Sequence, residues 1–157
     1  MKTIHPSEVS VGQLHQLLLG AVAPRPIAFA STIDAEGRPN LAPFSFFNVF
    51  SANPPILIFS PARRGRDNTT KHTFENVKEV KECVIHIVTY NMVQQMSLSS
   101  VEFPKGVSEF VKAGFTAEPS LHVRPFRVKE SPIHIECKVN DVIELGKEGG
   151  AGNLVVC

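Results

Sequence analysis

At 157 residues, with 43% hydrophobic and 20% charged side chains, the chain has the length and composition of one folded domain (1–157), which argues against a fibrous or disordered protein. Its 16 Lys and Arg stand against 15 Asp and Glu, a net charge of +1 that argues against a nucleic-acid partner while allowing a local basic pocket. No apolar run approaches the roughly 20 residues needed to span a bilayer, and no charged-then-apolar leader opens the chain, so a soluble, cytoplasmic protein is expected.

The first predicted element is a helix over Val11–Ala21. Leu14, Leu17 and Leu18 fall at helical spacing, Ser10 is a natural N-cap, and Gly20 with Pro24 ends it. His15 lies on the opposite side from the leucines, as a solvated residue. Ile27 to Ile33 reads as a strand, followed by turn chemistry at Asp34-Ala-Glu-Gly37, where glycine can take a positive φ. A second strand resumes at Arg38 and meets Pro43, which cannot donate to a ladder and so marks an edge or a bulge. Phe44 to Asn48 then places small polar groups among aromatics at a bend. On pattern alone this is a hairpin with its core phenylalanines.

Ile56 to Phe59 is a continuous apolar run, consistent with a strand buried on both faces. The loop from Ser60 to Thr70 carries Arg63, Arg64 and Arg66. A helix is expected over about Lys71–Glu82, with Phe74, Val77 and Val80 on one face, and then a strand over Cys83–Val88. There His86 alternates with Val84 and Val88 as a packed or hydrogen-bonded histidine. Asn91 to Ser100 reads as a helix with Asn91 as N-cap and Val93, Met96 and Leu98 directed inward. Val101 to Phe115 reads as a lid or surface loop with a short helix. Ser131 to Leu145 reads as one long strand with Ile133, Ile135, Cys137 and Val139 on one face and His134, Glu136, Lys138 and Asn140 on the other. Gly146 to Gly152 is a turn, and Asn153 to Cys157 begins a further strand.

Cys83, Cys137 and Cys157 are odd in number and far apart, with no Cys-x-x-Cys pair and no histidine at zinc-ligand spacing, so buried or half-buried thiols rather than a disulfide are expected. No Gly-x-Gly-x-x-Gly follows a strand, so a Rossmann nicotinamide domain is not supported. No catalytic triad or acid–base pair is visible.

The run Pro24-Arg-Pro-Ile-Ala-Phe29, Ser31-Thr32 and Gly37-Arg-Pro-Asn-Leu-Ala-Pro-Phe-Ser-Phe-Phe-Asn48 closely resembles the flavin reductase-like family of FMN-binding split β-barrels. The resemblance extends to Lys71-His-Thr-Phe-Glu-Asn76, Gly114-Phe-Thr116 and Glu130-Ser-Pro-Ile-His-Ile-Glu-Cys137, and so covers nearly the whole chain. It implies a mainly β fold with flanking helices, an antiparallel Greek-key split β-barrel. It also implies a homodimer with FMN near the subunit boundary. Family members usually continue beyond such a final strand, so a C-terminally truncated chain is expected.

An FMN site needs donors for a dianionic phosphate, a slot for a flat ring, and hydrogen bonds at the ring's polar edge. Arg63, Arg64, Arg66, Lys71, Thr69, Thr70 and Thr73 gather around a helix start, where free N–H groups and the dipole favour an anion. The same residues also read as a solvated basic loop capped by threonine. By resemblance, Lys71 and Thr73 match the family's Lys-Asp-Thr motif at the phosphate, with His72 in place of Asp, and the loop arginine maps to Arg63 or Arg64. For the ring the resemblance implicates Ser31, Thr32, Ser45, Phe46 and Asn48; Phe46 and Phe47 either pack on the ring or fill the core. Arg25 is either a fixed charge beside that region or a surface salt bridge. A flavin carries its own redox chemistry, so the missing catalytic residues fit.

The implied activity is hydride transfer from NAD(P)H to flavin, possible also as the reductase component of a two-component monooxygenase with an oxygenase partner. The alternative is a flavoredoxin-like FMN electron-transfer protein without direct NAD(P)H oxidation. A cofactor-free interaction domain is a third reading.

Overall fold

The computed structural model describes residues 3–157. Helix α1 (Val11–Ala21) starts where the Ser10 hydroxyl accepts from the Gln13 N–H and Gln13 reaches back to the Ser10 N–H, a reciprocal capping box. Its leucine stripe does not enter the core. Leu17 and Leu18 are exposed, and no residue of the helix is buried. Among the described residues Arg25 has no salt-bridge partner; its guanidinium donates to the Leu19 and Val22 carbonyls left open at the helix end and to Ser45 Oγ.

Strands β1 (Ala28–Ile33), β2 (Pro39–Phe44), β3 (Phe47–Ala52) and β4 (Pro55–Phe59) follow. The β1–β2 turn closes as expected: Gly37 takes φ 86°, and Asp34 accepts from the Arg38 backbone and guanidinium. Pro43 does not stop β2. It sits within the strand opposite Phe29, tolerated because β2 is a sheet edge. Strand β4 is not buried on both faces: Leu57 and Phe59 enter the core, while Ile56 and Ile58 face outward and are half-buried.

Helix α2 (His72–Glu79) is shorter than its periodicity predicts, ending ahead of Lys81, which takes φ 59°. Strand β5 (Glu82–His86) leads to α3 (Val93–Ser99) and α4 (Glu109–Ala113). Asn91 does not cap α3; it lies in a 3₁₀ turn ahead of it. Met92 is the buried residue there, Val93 and Leu98 are exposed, and Met96 packs on the core. After the short pair β6 (Ala117–Glu118) and β7 (Arg127–Val128), the expected long strand is two: β8 (His134–Lys138) and β9 (Asp141–Glu144), before β10 (Asn153–Val156).

Every pairing is antiparallel, giving two four-stranded sheets, β2-β1-β5-β8 and β3-β4-β10-β9, and the two-stranded β6-β7. The chain passes directly from one large sheet to the other at both edges. At the first, Phe44 pairs with Ala28 of β1, and two residues on the Phe46 carbonyl accepts from Ser60 N–H beside β4. At the second, the Val139 N–H donates to Lys81 O while the Asn140 N–H donates to Val156 O. The expected closed barrel is therefore not seen as one continuous ladder; the strands hand over between sheets at bends instead.

Between the sheets lie Ala28, Ala30, Phe44, Phe59, Val77, Ile85, Val155 and the three cysteines. A second core on the other face of β1 joins Phe29 and Leu41 to Met92, Phe110, Phe115 and Val128. Strand β1 is thus buried on both faces. His86 is locked there: its Nδ1–H donates to Phe29 O at 2.7 Å, and its Nε2 accepts from the Val128 N–H at 3.0 Å. The bond accepted at Nε2 requires the neutral ring, and burial pushes its pKa down to about 4. No helix among the described residues is long and apolar enough to cross a membrane.

Candidate functional site

The start of α2 is the point where the basic loop, both β1 and β2, and the α3 side of the molecule converge. Asn40 on β2 holds it: its Nδ2 donates to Thr73 Oγ1 at 2.9 Å and to Thr32 Oγ1 at 3.3 Å. Asn76 Nδ2 adds a third bond, to Thr32 Oγ1 at 3.1 Å. Because the Thr73 oxygen already accepts, its own proton remains free to donate. The N–H groups of His72 and Thr73, in the first turn, have no partner within the helix.

These groups face a cavity of about 400 Å³ lined by Asn40, Arg64, Arg66, Lys71, Thr73 and Ser100, among others. Lys71 is half-buried, and burial, reinforced by the nearby Arg64 guanidinium, holds its ammonium below the ordinary lysine range. Glu102 faces the arginines from the opposite wall, pairing with Arg64 Nε at 2.8 Å and with Arg66. Glu109, buried, accepts from the Leu41 N–H at 3.1 Å and so satisfies an edge donor of β2; burial raises its pKa. A second cavity, of about 190 Å³, lies on the far side of Lys71 and is lined by His15, Phe44, Ser45, Phe46 and Ser60. Lys71 borders both cavities, its Nζ 5.2 Å from the Phe44 ring centre.

Of the residues singled out from the sequence, Lys71 and Thr73 line the first cavity, and Ser45, Phe46 and Lys71 the second. Ser31 and Thr32 are fully buried within β1: Thr32 serves Asn40 and Asn76, and among the described residues Ser31 Oγ has no hydrogen-bond partner. Asn48 is exposed and accepts from the Val49 N–H. Arg63 clasps Asn68 through its side-chain and main-chain oxygens, whereas Arg64 lines the cavity. His15 is not merely solvated; its ring meets Phe46 edge-on at 5.9 Å. Asn40, Glu102 and Glu109 went unremarked in the sequence. A polar Asn40 between Pro39 and Leu41 in a strand was the available signal for the first.

The fold and site define a class: a mainly β protein of several antiparallel sheets with a few helices, carrying a cation- and hydroxyl-lined cavity at a helix start. Residues 19–157 match the flavin reductase like domain family, and the chain belongs to that family. An uncharacterized protein of Aquifex aeolicus is 46% identical over 126 residues, 80% of this chain and 64% of that protein. One from Halalkalibacterium halodurans is 42% identical over 147 residues, 94% and 70% of the two lengths. The chain therefore spans about two thirds of the length of these relatives. Among solved structures, nitrilotriacetate monooxygenase component B from Bacillus cereus superposes with a TM-score of 0.92 at 33% identity, covering 99% of this chain and 77% of that one. The 2-nitrobenzoate 2-nitroreductase of Pseudomonas fluorescens follows with 0.86 at 29%, covering 99% and 72%. A Shewanella frigidimarina protein with a split barrel domain gives 0.74 at 26%, covering 84% and 63%.

Proposed function

We propose that residues 1–157 form one FMN-binding domain of a flavin reductase-like oxidoreductase that takes hydride from NAD(P)H, its two large sheets being the halves of a Greek-key split barrel. The observation that carries this reading is the donor set in one cavity: Arg64, Lys71, the free Thr73 proton and the first-turn N–H groups of α2. Such a set suits a phosphate dianion, since a helix start and charged donors act in the same direction. Ser45 and Phe46, across Lys71 in the second cavity, supply a polar contact and an aromatic wall for a flat ring. The residues present fit the cofactor in chemistry, with Arg64 in the arginine role rather than Arg63.

When bound, flavin supplies the hydride and electron chemistry. The chain's own part is to bind and orient. Lys71 neutralises charge between the two cavities, Thr73 donates to an anion, and Phe44 with Phe46 excludes water from the ring side. Ser31, Thr32 and Asn48 act in this reading through the strands they stabilise. A homodimer is part of the proposal, supported by the exposed apolar side chains of Leu18, Val22, Val49 and Phe50. The Bacillus cereus protein is by name a monooxygenase component, and we extend to this chain a cytoplasmic oxygenase or electron-transfer partner.

The test is the visible spectrum of the protein loaded with FMN, recorded anaerobically before and after NADH or NADPH. Rapid bleaching by either nucleotide is expected. Bleaching by dithionite alone would replace the reductase with an electron carrier, and failure to bind added FMN would overturn the reading altogether.

A further inference from the structure

Cys83, Cys137 and Cys157 come together in the core between the sheets, their sulfurs all within 4.8 Å of one another. They reach this point from three places. Cys83 on β5 and Cys137 on β8 are directly opposite in register, and Cys157 follows β10 in the other sheet. Cys157 is held by a reciprocal pair of main-chain bonds with Leu57, at 2.7 and 3.0 Å. All three are free thiols. The surrounding residues are apolar, including Ala30, Phe44, Phe59, Ile85 and Val155. Among the described residues no histidine or carboxylate joins the group, and none of the three lines the cavities beside Lys71.

Three soft donors without a fourth ligand make a trigonal site, and softness selects thiophilic elements over magnesium or calcium. Charge then narrows the choice. Three thiolates around a monovalent ion leave two negative charges, and around a divalent ion one, in a chamber with no cation to offset them. Burying such charge is costly. A trivalent centre leaves none. Two of the thiols are also steadied by the main chain: Cys137 S–H donates to Ile135 O at 3.4 Å and Cys157 S–H to Leu57 O at 3.6 Å.

We propose that the three cysteines form a binding site for a trivalent thiophilic metalloid of the arsenite class. The step is a condensation: As(OH)3 and three Cys S–H groups give three As–S bonds, and the three hydroxyls leave as water with the three thiol protons. No oxidant or reductant takes part, and both the reagent and the bound centre are uncharged. Cys137 and Cys157 each keep 7% of their surface exposed while Cys83 has 0%, so the approach is from the Cys137 and Cys157 side. The site is independent of the flavin reading.

The test adds sodium arsenite to the reduced, intact protein and follows near-ultraviolet absorbance, native mass and the count of reactive thiols. One arsenic per chain in place of three hydrogens, with all three thiols protected, is expected. Cys157→Ala and Cys137→Ala, checked for a cooperative melt, should each weaken binding by more than about tenfold. Arsenite binding unchanged in both variants would overturn the site, as would no binding to the unmodified protein. If either variant fails to fold, protection of all three thiols in the unmodified protein decides the matter. Zinc displacing arsenite at equal concentration would overturn the trivalent assignment.

Discussion

The cavity beside Lys71 and the thiol chamber between the sheets are two gatherings of donors made in opposite ways. The first is open, charged and assembled mostly from a contiguous loop and helix start, Arg64 to Thr73, with Glu102 already opposing its arginines. The second is closed, uncharged around its rim and assembled from residues 83, 137 and 157. The first keeps its polar groups near solvent, where ionic strength and pH act on them. The second is part of the packing that holds the sheets together. A change in one should therefore be read as affinity, and in the other as stability.

The largest expected effect breaks the second region. Phe59→Ala removes a fully buried wall of the chamber and should cost about 3–5 kcal/mol in denaturant-induced unfolding. Acid should act on stability through His86 in the neighbouring core. Its pKa is lowered from 6.5 to about 4, so the unfolded chain binds the proton first as pH falls. Stability is lost progressively from about pH 6.5 down to about 4, by about 3 kcal/mol at about 1.4 kcal/mol per unit. Urea unfolding at a series of pH values checks this, and a His86→Gln variant should flatten that part of the profile.

Turning to the open cavity, Lys71→Met should lower FMN affinity by about 1.5–3 kcal/mol, with little effect on the thermal midpoint, as read by fluorescence titration and melting. Because Lys71 titrates below the ordinary lysine range, the affinity of the unsubstituted protein should fall as pH rises through that lowered value, earlier than a solvated lysine would allow. The smallest effect is a gain. Glu102→Gln frees Arg64 and Arg66 from an exposed carboxylate and should tighten phosphate or FMN binding by no more than about fivefold, measured at low salt.

The contrast also explains what the sequence discloses. Ser10 and the Asp34–Gly37 turn are local signals, and local chemistry realises them. The chamber depends on strand pairing across 54 residues for Cys83 and Cys137 and on a second sheet for Cys157, so spacing along the chain carries no trace of it. The sheet switches were legible only as a slip of phase. Core-facing positions run Ala42, Phe44 and then Phe47, and again Cys137, Val139 and then Val142. Read as one alternating strand, residues 131–145 conceal that slip. The leucines of α1 mislead for another reason: helical period reports which residues share a face, not what that face meets.

The amides of Asn40 and Asn76 carry a consequence for ligand thermodynamics. By tying Thr32 and Thr73 together they join the first turn of α2 to two adjacent strands, one of them buried on both faces. The socket's shape is thereby established during folding and owes little to the arriving anion. A ligand there should meet little entropic toll from ordering protein, and its departure should leave a mould ready for the next occupant.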